Sequence, residues 1–354
     1  MILFLAVLGL ILYLAERYSM NHVLDMVTFH TVLNKILVEP GESFTWNLSV
    51  ENRKRFMVPY LKIREQVPEG LVFSENGMPA ETERGRGLTS VLYLPGRQKT
   101  ELARNVRLLR RGRYFFRGVS AEAGDFLGID VVRGSYPELK ELVVKPEPYP
   151  HGELSLLLGG YLGEFAVKKS LFEDPVLTLG FREYTGREPF RSISWTQSAR
   201  LGRLLVKQQE CTADMTCSVL LNVEYGREEG DAKLLERCFS MVRSICEELE
   251  RRKIAYDFRT NGVIAGAMGN WKQVGEGLGA GHLGTVLEGL GRMTYDHRES
   301  AVEFLSAVLT GTQAGRGFLF VAPRQNGNLS PLLKAMEERS GQKVLTIYAE
   351  EMEE

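Results

Sequence analysis

Residues 145–152 read KPEPYPHG, with prolines at 146, 148 and 150. Proline has no N–H to donate and its ring fixes φ, so neither a helix interior nor a central strand can run through three of them in alternation. The passage is stiff and extended. It divides the 354 residues into two parts that need separate cores, and the hydrophobic pattern changes character across it.

Before the prolines, residues 22–148 read as strands. FTWNLSV at 44–50 alternates apolar and polar residues, and 58–63 does so less cleanly. Turn signals at Pro40-Gly41, Pro68 to Gly70, Pro95-Gly96 and Arg111-Gly112 cut the region into short pieces. Short strands at such spacing, with no helix-length pattern among them, predict an antiparallel β-sandwich. A basic cluster lies inside this part: Arg97, Lys99, Arg104, Arg107, Arg110, Arg111, Arg113 and Arg117. Its functional reading is contact with anionic lipid through Arg104, Arg107, Arg110 and Arg111, and its plain reading is a solvated strand face.

Residues 1–15, MILFLAVLGLILYLA, are apolar throughout and end at Glu16 and Arg17. A spanning helix takes about 20 residues and roughly 17 at the short limit, which Tyr18 and Met20 supply at the interface. A transmembrane anchor over residues 1–20 is therefore expected. A cleaved signal peptide would want basic residues ahead of the run and a small-x-small site after it, and neither is present. A core helix apolar on all sides would need a large core around it. Arg17 follows the run and only the terminal amine precedes it, which predicts a single pass through the cell membrane with the bulk of the chain cytoplasmic.

The four cysteines, Cys211, Cys217, Cys238 and Cys246, form no C-x-x-C pair, and the five histidines do not gather near them. They read as buried thiols suited to a reducing compartment, and no metal or cofactor is expected. A formal net charge of −1 provides no global field toward nucleic acid, so none is expected as a partner.

Residues 149–209 read as a linker carrying a distinctive segment, FREYTGREPFRSISWTQSAR at 181–200. Residues 210–354 then alternate strands with helices: strands at 217–223, 254–258, 318–322 and 344–348, and helices at 234–249, 283–293 and 330–338, the last with Pro331 in its first turn. That alternation predicts a mainly parallel sheet covered by helices.

The 181–200 segment resembles the hallmark of the bacterial domain-of-unknown-function 58 family: R-E-Y, a short Gly/Asp turn, then R-x-I-x-W-x-x-S-A-R. Arg182, Glu183, Tyr184, Gly186, Arg191, Ile193, Trp195, Ser198, Ala199 and Arg200 supply it, and RRGRYFFRGVSAEAGDFLGI at 110–129 is similar to the family's upstream strand. The resemblance runs from about Val27 to the C-terminus. It departs where Gly186-Arg187 stands for the usual Gly-Asp in a shorter turn. It implies a multi-domain chain in which an immunoglobulin-like sandwich precedes a von Willebrand factor A-like α/β domain. It also implies a non-catalytic adaptor partnered by a MoxR-type AAA+ ATPase.

Two readings of the segment stand side by side. Its arginines, Glu183 and Trp195 form either a structural polar clamp or a partner-binding groove, since Arg forks onto carboxylates and Trp and Arg are preferred interface anchors. Domains of the von Willebrand type often hold a cation on D-x-S-x-S after the first strand, where a carboxylate and hydroxyls converge. The matching positions are Asn222, Glu224 and Gly226, a degenerate set. Gly279, Gly281 and Gly284 satisfy G-x-G-x-x-G but do not directly follow a strand, which a dinucleotide loop requires. An enzyme is the rival class, and its candidates His151, His282, His297, Asp257, Glu288 and Asp296 are scattered.

Overall fold

The computed structural model describes residue 17 and residues 22–74, 87–124, 130–150, 152–171, 178–186, 190, 193–209, 216–225, 230–266 and 273–352. The chain forms two compact units, one of Met1–Glu147 with Leu290–Arg292 and one of Pro148–Gly289 with Met293–Glu354. The expected anchor lies outside the described residues except for Arg17. Among the described residues no helix is long and apolar enough to cross a membrane.

The first unit contains β1 Val27–Leu33, β2 Leu37–Val38, β3 Ser43–Asn52, β4 Val58–Glu65, β5 Leu71–Phe73, β6 Leu88–Leu94, β7 Lys99–Leu108, β8 Gly112–Gly124 and β9 Val131–Val144. One sheet has the order β1-β3-β7-β5 and the other β2-β9-β8-β4-β6. All pairs are antiparallel except the short β2–β9 contact, which is parallel. Period-two alternation sends one face of each sheet inward. Leu48 and Val50 of β3 meet Leu61 and Ile63 of β4 and Val119 and Ala121 of β8 in one core cluster. Phe44 and Trp46 meet Val106, Phe116 and Leu142 in a second, where the Trp46 and Phe116 rings lie 5.3 Å apart. The predicted sandwich is present.

The second unit opens with α1 Glu153–Leu171, a 19-residue helix where the sequence reading placed a linker. Its glycines at 159, 160 and 163 obscured the helical pattern, because glycine weakens isolated helices by roughly 1 kcal/mol each. Packing overrides that cost. Leu154, Leu158, Tyr161 and Leu162 are buried, and the Tyr161 hydroxyl accepts the Phe318 N–H at 2.9 Å. After it come β10 Thr178–Glu183, α2 Trp195–Leu201 and β11 Leu205–Gln209, then β12 Thr216–Leu221, α3 Asp231–Arg251, β13 Ala255–Thr260, β14 Gly262–Ile264 and β15 Gln273–Gly277. The unit closes with α4 Ala280–Arg292, whose last three residues belong to the first unit, then β16 Met293–His297, α5 Ala301–Thr310, β17 Gly317–Ala322, a 3-10 turn, α6 Ser330–Ser340 and β18 Val344–Tyr348.

The central sheet has the order β15-β13-β12-β17-β18, parallel except for the β13–β15 edge. Phe318, Phe320 and Leu220 face α5 and α6 through Phe304, Leu305, Leu333 and Met336. The opposite face carries Cys217, Val219 and Leu221, and Tyr256 beside Cys217 reaches Cys246 of α3. A sheet covered on both faces explains the continuous apolar runs in its strands. Cys217, Cys238 and Cys246 are free and buried, and burial pushes the Cys238 and Cys246 thiols well above their ordinary value. Cys211 lies outside the described residues. The sequence missed α5, whose Ser300 and Glu303 nevertheless form a capping box.

Candidate functional site

The C-terminal edge of a parallel sheet is where ligands usually bind such folds. Among the described residues at that edge, the polar side chains bond one another and the neighbouring backbone. Asn222, at the end of β12, accepts the Glu224 N–H at 3.0 Å and the Asn261 amide at 2.8 Å through one oxygen. Asn261 also accepts the Val223 N–H at 2.9 Å. Glu224 turns away and accepts the Ala301 N–H at 2.6 Å, placing a negative charge on the N-terminus of α5. A hard cation would need these oxygens, and each already serves a backbone donor or an amide. Gly226, the third position, lies outside the described residues. Among the described residues no cluster of three His, Cys, Asp or Glu could hold a metal. Asn261→Ala would strand the Val223 N–H in a buried site, and a loss of about 1–3 kcal/mol in urea unfolding is expected. A loss below a few tenths would show that the clamp is dispensable.

The glycine loop is occupied in the same way. Both Glu250 oxygens accept the Gly279 N–H, at 2.8 and 3.0 Å, ahead of α4. A carboxylate of α3 thus stands where a phosphate would be expected. Two of the scattered catalytic candidates, His282 and Asp257, are not brought together. His282 packs on Tyr256 with centroids 4.6 Å apart, whereas Asp257, the next residue on β13, points to the other face. His151 lies outside the described residues.

The described part of the 181–200 segment supplies the end of β10 and the helix α2, and β11 follows directly after it. β10 pairs antiparallel with β11, and Ile193 bridges Val206. Buried Ser198 locks α2 to β11: its hydroxyl donates to Ser194 O at 2.8 Å and accepts the Leu205 N–H at 2.9 Å. Tyr184 packs against Phe190 at 6.0 Å. The expected clamp of arginines on Glu183 takes another form. Glu183 pairs with Arg203, which the sequence reading did not single out, and both side chains are exposed. Arg182 and Arg200 are exposed as well, and Arg191 lies outside the described residues. Trp195 does not bury its ring. As the first residue of α2 it stands 62% exposed, with Phe190 69% exposed and Phe181, Leu201 and Leu204 also outward.

The basic cluster of the first unit is split by strand alternation. Arg104 of β7 points between the sheets, with its guanidinium 5.1 Å from the Trp46 ring and 2.8 Å from buried Glu65. It is unavailable to lipid. Arg107 is half-buried and Arg110 exposed at a turn. Arg111 is half-buried, and its guanidinium donates to the Leu290 carbonyl at 2.8 Å. Arg113 pairs with Glu141 and stacks on Phe115 at 5.0 Å. Arg113 and Arg117 line a concavity of about 630 Å³ together with Arg64, Tyr114 and Phe115. The eight cations form no single surface.

No protein-family model and no curated protein matches the chain. Among solved structures it is similar to the CARDB domain of a Pyrococcus furiosus protein in complex with di-metal ions, at 15% identity and TM-score 0.23 over 34% of this chain and 94% of that one. A cohesin module from a Clostridium perfringens family 33 glycoside hydrolase matches at 13% identity and TM-score 0.24, over 34% and 96%. The complex of zinc 2-glycoprotein and prolactin inducible protein from human seminal plasma matches at 13% and TM-score 0.23, over 33% and 93%.

Proposed function

We propose that this protein is a membrane-tethered adaptor, related to the domain-of-unknown-function 58 family, that binds a protein partner through the 181–204 surface. On this reading its sandwich is immunoglobulin-like, its α/β unit is von Willebrand factor A-like, and the partner is a MoxR-type AAA+ ATPase on the cytoplasmic side. The observation that carries it is the outward display of Trp195, Phe190, Phe181, Leu201 and Leu204 on a small hairpin that Ser198 holds in shape. Large aromatics beside arginines are the residues that dominate interface energies, and a protein gains nothing in its own stability by exposing them. The sheet edge where chemistry would be expected is meanwhile filled by Asn222, Asn261 and Glu224.

Trp195→Ala is expected to reduce retention of a MoxR-type ATPase from the same organism at least about tenfold in a detergent pull-down. The melting temperature should stay put, because the ring is largely in water. Arg203→Glu breaks only an exposed ion pair and should leave stability within about 1 kcal/mol. Undiminished retention by Trp195→Ala would remove this surface from the partner's footprint.

A further inference from the structure

One end of the sandwich gathers three pieces of chain. Residues 22–26 lead into β1 there, beside the loop from β3 to β4 and the turn from β6 to β7. The Arg53 N–H donates to Met26 O at 3.0 Å, the Arg97 N–H to Lys54 O at 2.9 Å, and Lys54 Nζ to His22 O at 3.0 Å and to Val23 O. Gly96 closes the turn onto the loop so tightly that a Cβ would lie 2.0 Å from Arg55 O. Only glycine permits that approach.

The tip so formed carries Met26, Arg53, Arg55, Phe56, Met57 and Arg97 outward, with Phe56 73% exposed. Its nearby acids are Asp25 and Glu51, the latter 3.1 Å from Arg53, so Arg53, Lys54, Arg55 and Arg97 outnumber them. Loop tips in contact with water alone are usually polar, and an aromatic flanked by arginines has the composition that suits the headgroup layer of a bilayer.

Position adds to composition. The apolar run ends before Glu16, and the six residues from there to His22 span at most roughly 20 Å. A bilayer holding that run is within reach of residues 22–26, and hence of the loops bonded to them.

We infer that this end of the sandwich is a membrane-contact surface, with Phe56 and Met57 entering the interfacial layer and Arg53, Arg55 and Arg97 meeting anionic headgroups. The inference rests on the tether reading above. Each basic residue held at such a surface strengthens attachment about fivefold. A second copy of the chain or a protein partner would not need that net positive charge beside the apolar run.

The test uses the full chain in vesicles of phosphatidylcholine and phosphatidylglycerol in equal amounts, with brominated phosphatidylcholine as quencher. Phe56→Trp is compared with Leu109→Trp at the other end of the ten-residue β3, about 30 Å away. Emission in excess of the parent's three tryptophans is read. Bromolipid should quench the Phe56→Trp excess severalfold more than the Leu109→Trp excess. Adding Arg53→Glu, Arg55→Glu and Arg97→Glu together should abolish the difference, with circular dichroism unchanged. Equal quenching at the two positions overturns the proposal. So does a concentration-dependent blue shift at position 56 without quenching, which would mean that protein covers the tip. Flotation tests the tether separately. If the parent chain does not float, the same vesicles are added to it in solution, where quenching at 56 supports the surface and its absence overturns it.

Discussion

Asp257→Ala is expected to lower the stability of the α/β unit by about 3–5 kcal/mol, the range found when one partner of a buried ion pair is removed. Asp257 is buried in β13, where one oxygen lies 3.0 Å from Arg316 and the other 2.7 Å from Arg259. Arg316 also donates to Ser218 at 2.7 Å and to Glu276 at 3.0 Å. Without Asp257, Arg316 keeps only a hydroxyl and an exposed acid for its positive charge. The loss is therefore the cost of a stranded charge more than of a missing contact. Glu276→Ala is the control. Its carboxylate is about half exposed, and its removal should cost no more than about 1 kcal/mol. Urea unfolding of the full chain measures both. An Asp257→Ala loss as small as that of Glu276→Ala would show that water reaches the cluster.

The second large effect is a pH dependence set by Glu65. Its carboxyl is buried between the sheets, and burial raises its pKa from 4.5 to about 7 although the Arg104 charge beside it pulls the other way. Arg104 Nη1 approaches Oε1 to 2.8 Å, but neither Glu65 oxygen has a well-angled hydrogen bond. The folded state thus holds the proton more tightly than the unfolded chain. The associated stability is complete below about pH 4.5 and is lost as pH rises through about 7. At about 1.4 kcal/mol per pH unit the loss totals about 3 kcal/mol. In Glu65→Gln that slope should vanish, so the difference between parent and variant should change by about 2–3 kcal/mol between pH 5 and pH 8, with the parent losing ground. Parallel pH profiles for the two proteins would sink the assignment.

Element type was written in local pattern. Period-two alternation at residues 44–50 is β3, the apolar stripe from Leu234 to Leu249 lies on α3, and the boundary between the two units after Glu147 falls among the prolines. These features are legible because propensity and periodicity act over a few neighbouring residues. Helix α1 was hidden by its glycines, and α5 was missed although its capping box is present in the sequence.

The site depended on directions that local pattern does not carry. One residue of register decides whether a strand arginine meets lipid or a buried carboxylate, and for Arg104 the answer is Glu65. Whether Trp195 packs or projects depends on where α2 sits on its hairpin. Glu224 looks like a remnant cation ligand until the N-terminus of α5, 77 residues later, is seen to take its charge. Arg53 to Met57 are distant from residues 22–26 in sequence, yet hydrogen bonds to His22 and Met26 bring the two pieces of chain together. The sequence by itself determined two units and the kinds of elements that build them. Only the tertiary structure decided which charges are buried, which aromatics are displayed and which loops share an end, because contacts between residues far apart in the chain have no local signature.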